Sequence, residues 1–380
     1  MVATGASATS ADANAAAQPD RWHMPRIVIA AGGTAGHVVP ALAVADALRE
    51  RGAEVEFVGG ERAESELVPA AGYPLHRLNV AGIDRRNVLR ASRALLLAGR
   101  ATTQARGLLR RLAADAVMGG GGYVAAPVGL AAASLRLPLV ITEADSHLGM
   151  ANRLLAPLAR RGFLAFPIEG RSGAKWVLAG RPVPAGTGAA DRAAARKRFG
   201  IDQDQPCILV FGGSLGAQRL NNAALDAFGA AAPGSVLHVS GHRDYPLLRE
   251  RLDSFGTPSH YHLYPYLLPF ADVLAAADLV VARAGGSVME VAAAGLPAIL
   301  VPYPEATADH QTLNARHIER AGAAVVVPDA ELDGPRLARE VGALLGAPQR
   351  MATMAKAARS VARPDAAARI ADELLALVRA

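Results

Sequence analysis

The chain has 380 residues, half of them apolar, one cysteine (Cys207) and a formal net charge of +6 carried mainly by arginine. That length suggests two domains with a sizeable core, and a single cysteine excludes a disulfide framework and a cysteine-based zinc site. Aromatics at 4% argue against a reader of single-stranded nucleic acid, which stacks bases on rings, while the basic balance leaves acidic partners such as nucleotide-sugars or anionic lipid head groups. No apolar run reaches the roughly 18 uncharged residues that a membrane span needs. Residues 1–24, rich in Ala, Ser and Thr with Asp12 and Asp20, read as a disordered tail rather than a signal peptide, and the protein as soluble and cytoplasmic.

Arg26–Ala31 reads as a strand, followed at once by Gly32-Gly33-Thr34-Ala35-Gly36-His37 and a helix over Val38–Arg51, with Pro40 near its start. The turn is not the G-x-G-x-x-G fingerprint. The next strand, Glu54–Val58, runs out at Gly59-Gly60 where a ribose-binding acid belongs, which weakens a nicotinamide reading. His37 at the mouth of this turn is a candidate general base with a pKa near neutrality; a helix-capping or core histidine is the alternative. Pro74–Leu78 fits a further strand. Between Arg85 and Arg111 stand eight arginines and no acid, interleaved with Leu and Val. This pattern predicts a basic amphipathic helix pair suited to an anionic membrane surface; a solvated charged helix is the plainer reading. Ala116–Met118 leads into Gly119-Gly120-Gly121-Gly122-Tyr123, a second loop for close approach, with Tyr123 as hydroxyl donor or stacking surface. Pro138–Ile141 delivers Thr142-Glu143-Ala144-Asp145 to the same sheet edge, and Glu143 and Asp145 point the same way if the chain stays extended. Strands at Gly162–Phe166 and Trp176–Leu178 and a linker at Pro182-Val183-Pro184 close the first half.

Cys207–Phe211 is a strand entering Gly212-Gly213-Ser214-Leu215-Gly216, which repeats the spacing of the first turn. Two doubly wound α/β domains facing across a cleft are implied. Further strands fit Val236–Val239, His260–Tyr264, Leu279–Ala282, Pro297–Val301 and Ala324–Val327, and Pro364–Ala380 has the spacing of an amphipathic helix. After Leu279–Ala282 the turn Arg283–Ser287 starts a helix at about Val288, whose N–H groups favour a phosphate. Glu290 in its first turn is an acceptor for sugar hydroxyls; a helix start carrying its usual acid is the alternative. Asp202-Gln203-Asp204 has the form of a metal-binding D-x-D but precedes a strand, away from the ligand edge. No metal and no cofactor are expected.

Taken together, the motifs resemble the MurG family of bacterial transferases, which move GlcNAc from UDP-GlcNAc to undecaprenyl-linked MurNAc-peptide. The likeness runs in order from Arg26 to Val327. GGTAGHVVPALAVA, GGGGYVAAPVGLAA and FGGSLGAQ match the family's Gly-rich loops, and RAGGSVMEVAAAGLPAILVPYP and DHQTLNA its donor-site run. The resemblance implies a GT-B fold, with an acceptor domain over 25–184, a donor domain over 185–380, and a last helix able to pack back on the first domain. It also implies an inverting, metal-independent transfer to the acceptor's C4 hydroxyl at the cytoplasmic face of the membrane, with no nucleic-acid partner. Carried over residue by residue, Ser214, Gly285, Gly286 and Ser287 would hold the diphosphate, Glu290 the ribose, and Leu267 would flank the uracil. Gln311 and Asn314 would read the GlcNAc hydroxyls. Thr34, Ala35, Gly36 and His37 would face the sugar and the acceptor hydroxyl, with Tyr123 on the acceptor side. His37 is the first choice of base, with Glu143 or Asp145 orienting or replacing it.

The chain departs from the family pattern in four places. Thr142-Glu143-Ala144-Asp145 stands for the usual His-Glu-Gln-Asn, and Glu305 for a common His. The donor-site turn is one residue shorter. Gly180-Arg181-Pro182-Val183-Pro184 stands for Gly-Asn-Pro-Val-Arg, so no arginine occupies 184 and Arg181 is the candidate to supply its charge. Two other activities share these features: a GT-B transfer to another lipid acceptor, and an isomerase of the UDP-GlcNAc 2-epimerase type, which leaves the arginine-rich segment without a role.

Overall fold

The computed structural model describes residues 24–80, 88–213 and 216–379. The expected tail, except Met24, therefore lies outside the described residues, as do Ser214 and the first arginines of the 85–111 segment. Seven strands form a first sheet: β1 (Arg26–Ala30), β2 (Glu54–Gly59), β3 (Leu75–Arg77), β4 (Ala116–Gly119), β5 (Leu139–Glu143), β6 (Arg161–Leu164) and β7 (Trp176–Leu178). Six form a second: β8 (Cys207–Phe211), β9 (Ser235–Val239), β10 (Tyr261–Tyr264), β11 (Leu279–Ala282), β12 (Ala298–Leu300) and β13 (Ala324–Val326). Every pairing is parallel, in the orders β3-β2-β1-β4-β5-β6-β7 and β10-β9-β8-β11-β12-β13. Helices cover both faces, which is why the central strands read as unbroken apolar runs such as CILVF and LVVA. Strand order reverses between β1 and β4 and between β8 and β11, and a crevice opens there at the carboxyl ends.

The last helix, Ala366–Arg379, crosses back to the first sheet. It buries Ile370, Ala371 and Leu374 in the same cluster as Val44 and Leu48 of the helix Ala35–Glu50, and Arg51 Nε pairs with Asp372 at 2.7 Å. Burying each such Ile or Leu stabilises by about 1.5–3 kcal/mol, so the chain's end ties the first domain's core to the second domain's sequence.

The arginine-rich segment differs from the expected helix pair. Val88–Arg111 is one continuous helix of 24 residues. Gly99 and Gly107 were the only candidate breaks, and an isolated helical glycine costs only about 1 kcal/mol, too little by itself to end a helix. Ala101, Ala105, Leu108 and Leu109 are buried toward the helix Ala125–Ser134, with Arg106 Nη1 donating to Ser134 Oγ at 2.8 Å, while Arg100, Arg110 and Arg111 are exposed. Among the described residues no helix is long and apolar enough to cross a membrane.

Candidate active site

The first turn bends at Gly33, whose φ of +108° suits glycine. The helix after it begins at Ala35 with Thr34 as N-cap, three residues earlier than the pattern suggested. Pro40 therefore falls in the second turn, and the carbonyl it deprives of a helical donor is that of Gly36. Arg181 fills the gap: its Nη2 donates to Gly36 O at 2.7 Å. His37 lies against Gly121 so closely that a side chain at 121 would meet its ring, and its Nδ1 is 3.4 Å from Thr34 Oγ1. Burial lowers the His37 pKa below its ordinary 6.5; Asp145 pulls it up and Arg181 pushes it down. A neutral imidazole at neutral pH is what a general base requires.

Sequence reasoning missed Glu64. It is fully buried, and its Oε2 accepts the Gly33 N–H at 2.8 Å while Oε1 accepts the Gly60 N–H at 2.9 Å and the Tyr123 hydroxyl at 2.8 Å. Burial alone raises its pKa, but the hydrogen bonds outweigh burial and hold it below the usual carboxylate value. Tyr123 is pushed up to about 12 by burial and then by Glu64. Its hydroxyl is thus committed to Glu64, and its ring lies beside Gly33 with Arg62 Cζ 5.1 Å from the ring centroid. In the sequence Glu64 is one of three acids in ERAESE and looks like any surface carboxylate. The only signal is the Gly59-Gly60 pair ahead of it, a bare backbone that something must hold.

β5 ends at Glu143 and the chain turns, so Glu143 and Asp145 do not share a face as an extended chain would have them. Glu143, 7% exposed, accepts from Gly149 N at 2.8 Å, Asn152 Nδ2 at 2.9 Å, Ala144 N at 3.1 Å and Asp145 N at 3.3 Å. Burial raises its pKa against these donors. All four donors lie between residues 144 and 152, in the loop after β5 and the helix Met150–Leu155 that follows it. Asp145 is the loop acid whose charge acts on His37, and its Oδ1 accepts from Asn314 Nδ2 at 3.4 Å.

On the other side of the crevice, β11 runs into Arg283–Ser287 and the short helix Val288–Ala293, with Ser287 at its N-cap. Arg283 is spent on Val301 O, Pro302 O and Asp329. Gly286 faces Arg181, and a Cβ there would run into the guanidinium. Arg181 is 3% exposed, reaches Ala144 O at 3.4 Å, and keeps its Nε buried without a partner. Burial lowers its pKa, opposed by Glu290, Asp145 and Glu143. Burial likewise raises Glu290, with Arg181 opposing.

Gln311 lies near Gly285, and its Oε1 accepts the Tyr303 N–H at 2.9 Å. Asn314 is fully buried and staples the domains: Nδ2 donates to Ala284 O at 3.2 Å and Oδ1 accepts the Ser146 N–H at 3.2 Å. His147 and His310 stack beside it, ring centroids 5.7 Å apart. Leu267 packs on the second domain's core. Asp202–Asp204 is an exposed loop ahead of β8.

Two doubly wound domains meeting at the carboxyl edges of their sheets, with a buried histidine on one edge and a glycine turn on the other, give the GT-B architecture, and the family match that follows makes the protein a glycosyltransferase. Residues 27–163 match the N-terminal domain of glycosyltransferase family 28, and residues 207–370 its C-terminal domain. A Moorella thermoacetica protein named UDP-N-acetylglucosamine–N-acetylmuramyl-(pentapeptide) pyrophosphoryl-undecaprenol N-acetylglucosamine transferase is 42% identical over 368 residues, covering 93% of this chain and 99% of that relative. A Stutzerimonas stutzeri protein of the same name is 40% identical, over 91% of this chain and 97% of its own. The crystal structure of Acinetobacter baumannii MurG superposes with a TM-score of 0.74 at 31% identity, over 93% of this chain and 100% of that one. S. aureus MnaA with UDP, at 16% identity and a TM-score of 0.67, shares the fold alone. The chain belongs to glycosyltransferase family 28, within its MurG group.

Proposed function

We propose that the protein transfers GlcNAc from UDP-GlcNAc, with inversion and without a metal, to the C4 hydroxyl of undecaprenyl-diphosphate-MurNAc-peptide, the step from lipid I to lipid II of peptidoglycan synthesis. The observation that carries this reading is end-to-end identity of 42% with a transferase whose name states that reaction. Residues 25–184 hold the acceptor and 185–380 the donor. His37 takes the proton of the acceptor hydroxyl as it attacks the anomeric carbon from the face opposite UDP. Asp145 stabilises the imidazolium that forms. Arg181, with its free Nε, and the backbone of Gly285, Gly286 and Ser287 take up the charge of the departing diphosphate, and Ser214 is a further contact to it. Glu290 accepts from the ribose, the Leu267 loop flanks the uracil, and Gln311 reads the GlcNAc hydroxyls beside Thr34, Ala35 and Gly36. Asn314 holds the donor turn to the 143–147 loop rather than reading the sugar. The arginine-bearing helix Val88–Arg111 rests on the anionic cytoplasmic face of the membrane, which makes the protein peripheral.

The test is UDP release from UDP-GlcNAc, with and without a short-chain lipid-diphosphate-MurNAc-peptide, in EDTA. Lipid-dependent release in the chelator is expected. Donor binding without release on this acceptor would move the reading to another lipid. Lipid-independent conversion of UDP-GlcNAc would make the protein an epimerase.

A further inference from the structure

The reaction brings two diphosphates to one cleft, that of the donor and that of the lipid-linked acceptor. Arg181 is buried against the donor turn at Gly286, so the acceptor's diphosphate needs a cation of its own. On the first sheet's carboxyl edge, Arg153 is turned back to Leu148 O at 3.0 Å. Arg62, between β2 and the helix Glu64–Ala70, is exposed, and none of the ion pairs among the described residues includes it. Its guanidinium is held 5.1 Å from the centre of the Tyr123 ring. That ring is itself fixed, because its hydroxyl is bonded to the buried Glu64 and its edge lies by Gly33. An arginine resting on an aromatic ring loses little further freedom on binding and keeps its N–H fork available for a phosphate.

We propose that Arg62 binds the diphosphate of the acceptor, with Tyr123 as its platform. This rests on the transfer reading above. In a pyranose the attacked C4 hydroxyl and the C1 diphosphate lie on opposite sides of the ring, so base and cation must flank the sugar. His37 stands over Gly121 and Tyr123 stands by Gly33, and Gly122 packs directly on the backbone of Gly32. The chain between the base and the Tyr123 platform is glycine backbone at Gly33, Gly121 and Gly122, with the exposed Thr34 side chain beside His37. Glu64 organises the arrangement from beneath, holding Gly33, Gly60 and Tyr123 at once.

The experiment compares wild type, Arg62→Ala and Arg62→Lys on two short-chain acceptors, one lipid-diphosphate-MurNAc-peptide and one with a single phosphate. Arg62 is exposed, so the variants should melt with the wild type. Arg62→Ala is expected to raise KM for the diphosphate acceptor about tenfold or more, to raise it much less for the monophosphate, and to leave KM for UDP-GlcNAc unchanged. Arg62→Lys keeps the charge without the fork and should fall between. Equal losses on the two acceptors, or a loss confined to UDP-GlcNAc, overturn the assignment while leaving the transfer reading intact. A wild-type enzyme inactive on both acceptors overturns the transfer reading, and this assignment with it.

Discussion

His37 is a residue at which burial helps the chemistry. Desolvation disfavours the imidazolium, so the ring waits neutral, and the nearby Asp145 charge lowers the cost of protonating it once the acceptor proton moves. His37→Ala should lower kcat by about 10²- to 10⁴-fold while UDP-GlcNAc binding by calorimetry stays near wild type. The acid limb of kcat/KM should lie below pH 6.5, the ordinary histidine value. A wild-type turnover in His37→Ala would remove the base assignment. Glu64 makes a different kind of statement, since it touches no substrate in this reading. Glu64→Ala leaves the Gly33 and Gly60 N–H groups and the Tyr123 hydroxyl without their acceptor, and urea unfolding should show a loss of about 2–4 kcal/mol. His37 stood out in the sequence because it is the one titratable side chain in a turn of small residues. Glu64 did not, because burial of a carboxylate is decided by what packs over it and leaves no trace in local spacing. The condition set on Glu143 and Asp145, that the chain stay extended, is not met, because alternation along a strand holds only while the strand lasts and β5 ends at Glu143.

At the scale of elements, the strands were easy to place, since parallel strands buried on both faces are apolar throughout and bounded by glycine and proline. Helix starts were harder. The helix after β1 runs back through Gly36 to Ala35, and the proline thought to sit at its start instead frees a carbonyl for Arg181. The second sheet holds a device that no motif marked. His238 on β9 is fully buried; its Nδ1 is 2.8 Å from Tyr261 Oη on β10, and its Nε2 is 3.0 Å from Asn221 Oδ1 on the helix Gln218–Phe228. Asn221 Nδ2 donates to Ser240 O and Asp244 Oδ2, so its Oδ1 accepts from the Nε2–H, and Nδ1 accepts from tyrosine. Burial lowers the His238 pKa from 6.5 to about 3. Above pH 6.5 both folded and unfolded chains hold this histidine neutral. As pH falls below 6.5 the unfolded chain takes a proton that the folded one refuses, so stability declines until about pH 3 and no further. The loss amounts to several kcal/mol at most. Thermal melts across this range should slope downward toward acid, and His238→Gln, which cannot titrate, should flatten that part of the slope even if it melts lower throughout.

The whole molecule adds what neither half of the sequence contains, the fit of one edge against the other. The Asn314 side chain bonded to Ser146 and the His147–His310 stack join residues more than 160 positions apart, and no spacing within either half points across. Arg181 is the centre of that fit. It is hydrogen-bonded to Gly36 and Ala144 of the first domain and pressed on Gly286 of the second, so its place depends on a missing Cβ. Gly286 has no positive φ, and alanine there meets no backbone strain, only the guanidinium. Gly286→Ala should therefore displace Arg181 or hold the edges apart. Its expected signature is a rise of about tenfold or more in the dissociation constant for UDP-GlcNAc, with little change in melting temperature because the residue is only half-buried. Arg181→Ala should weaken the donor by a similar factor through loss of the charge itself. The double variant then decides whether the two act as one: if alanine at 286 works by moving Arg181, it adds nothing once the arginine is gone, whereas independent roles multiply their losses. Multiplied losses would return Gly286 to a direct backbone contact with the diphosphate and leave Arg181 as a tether between the domains.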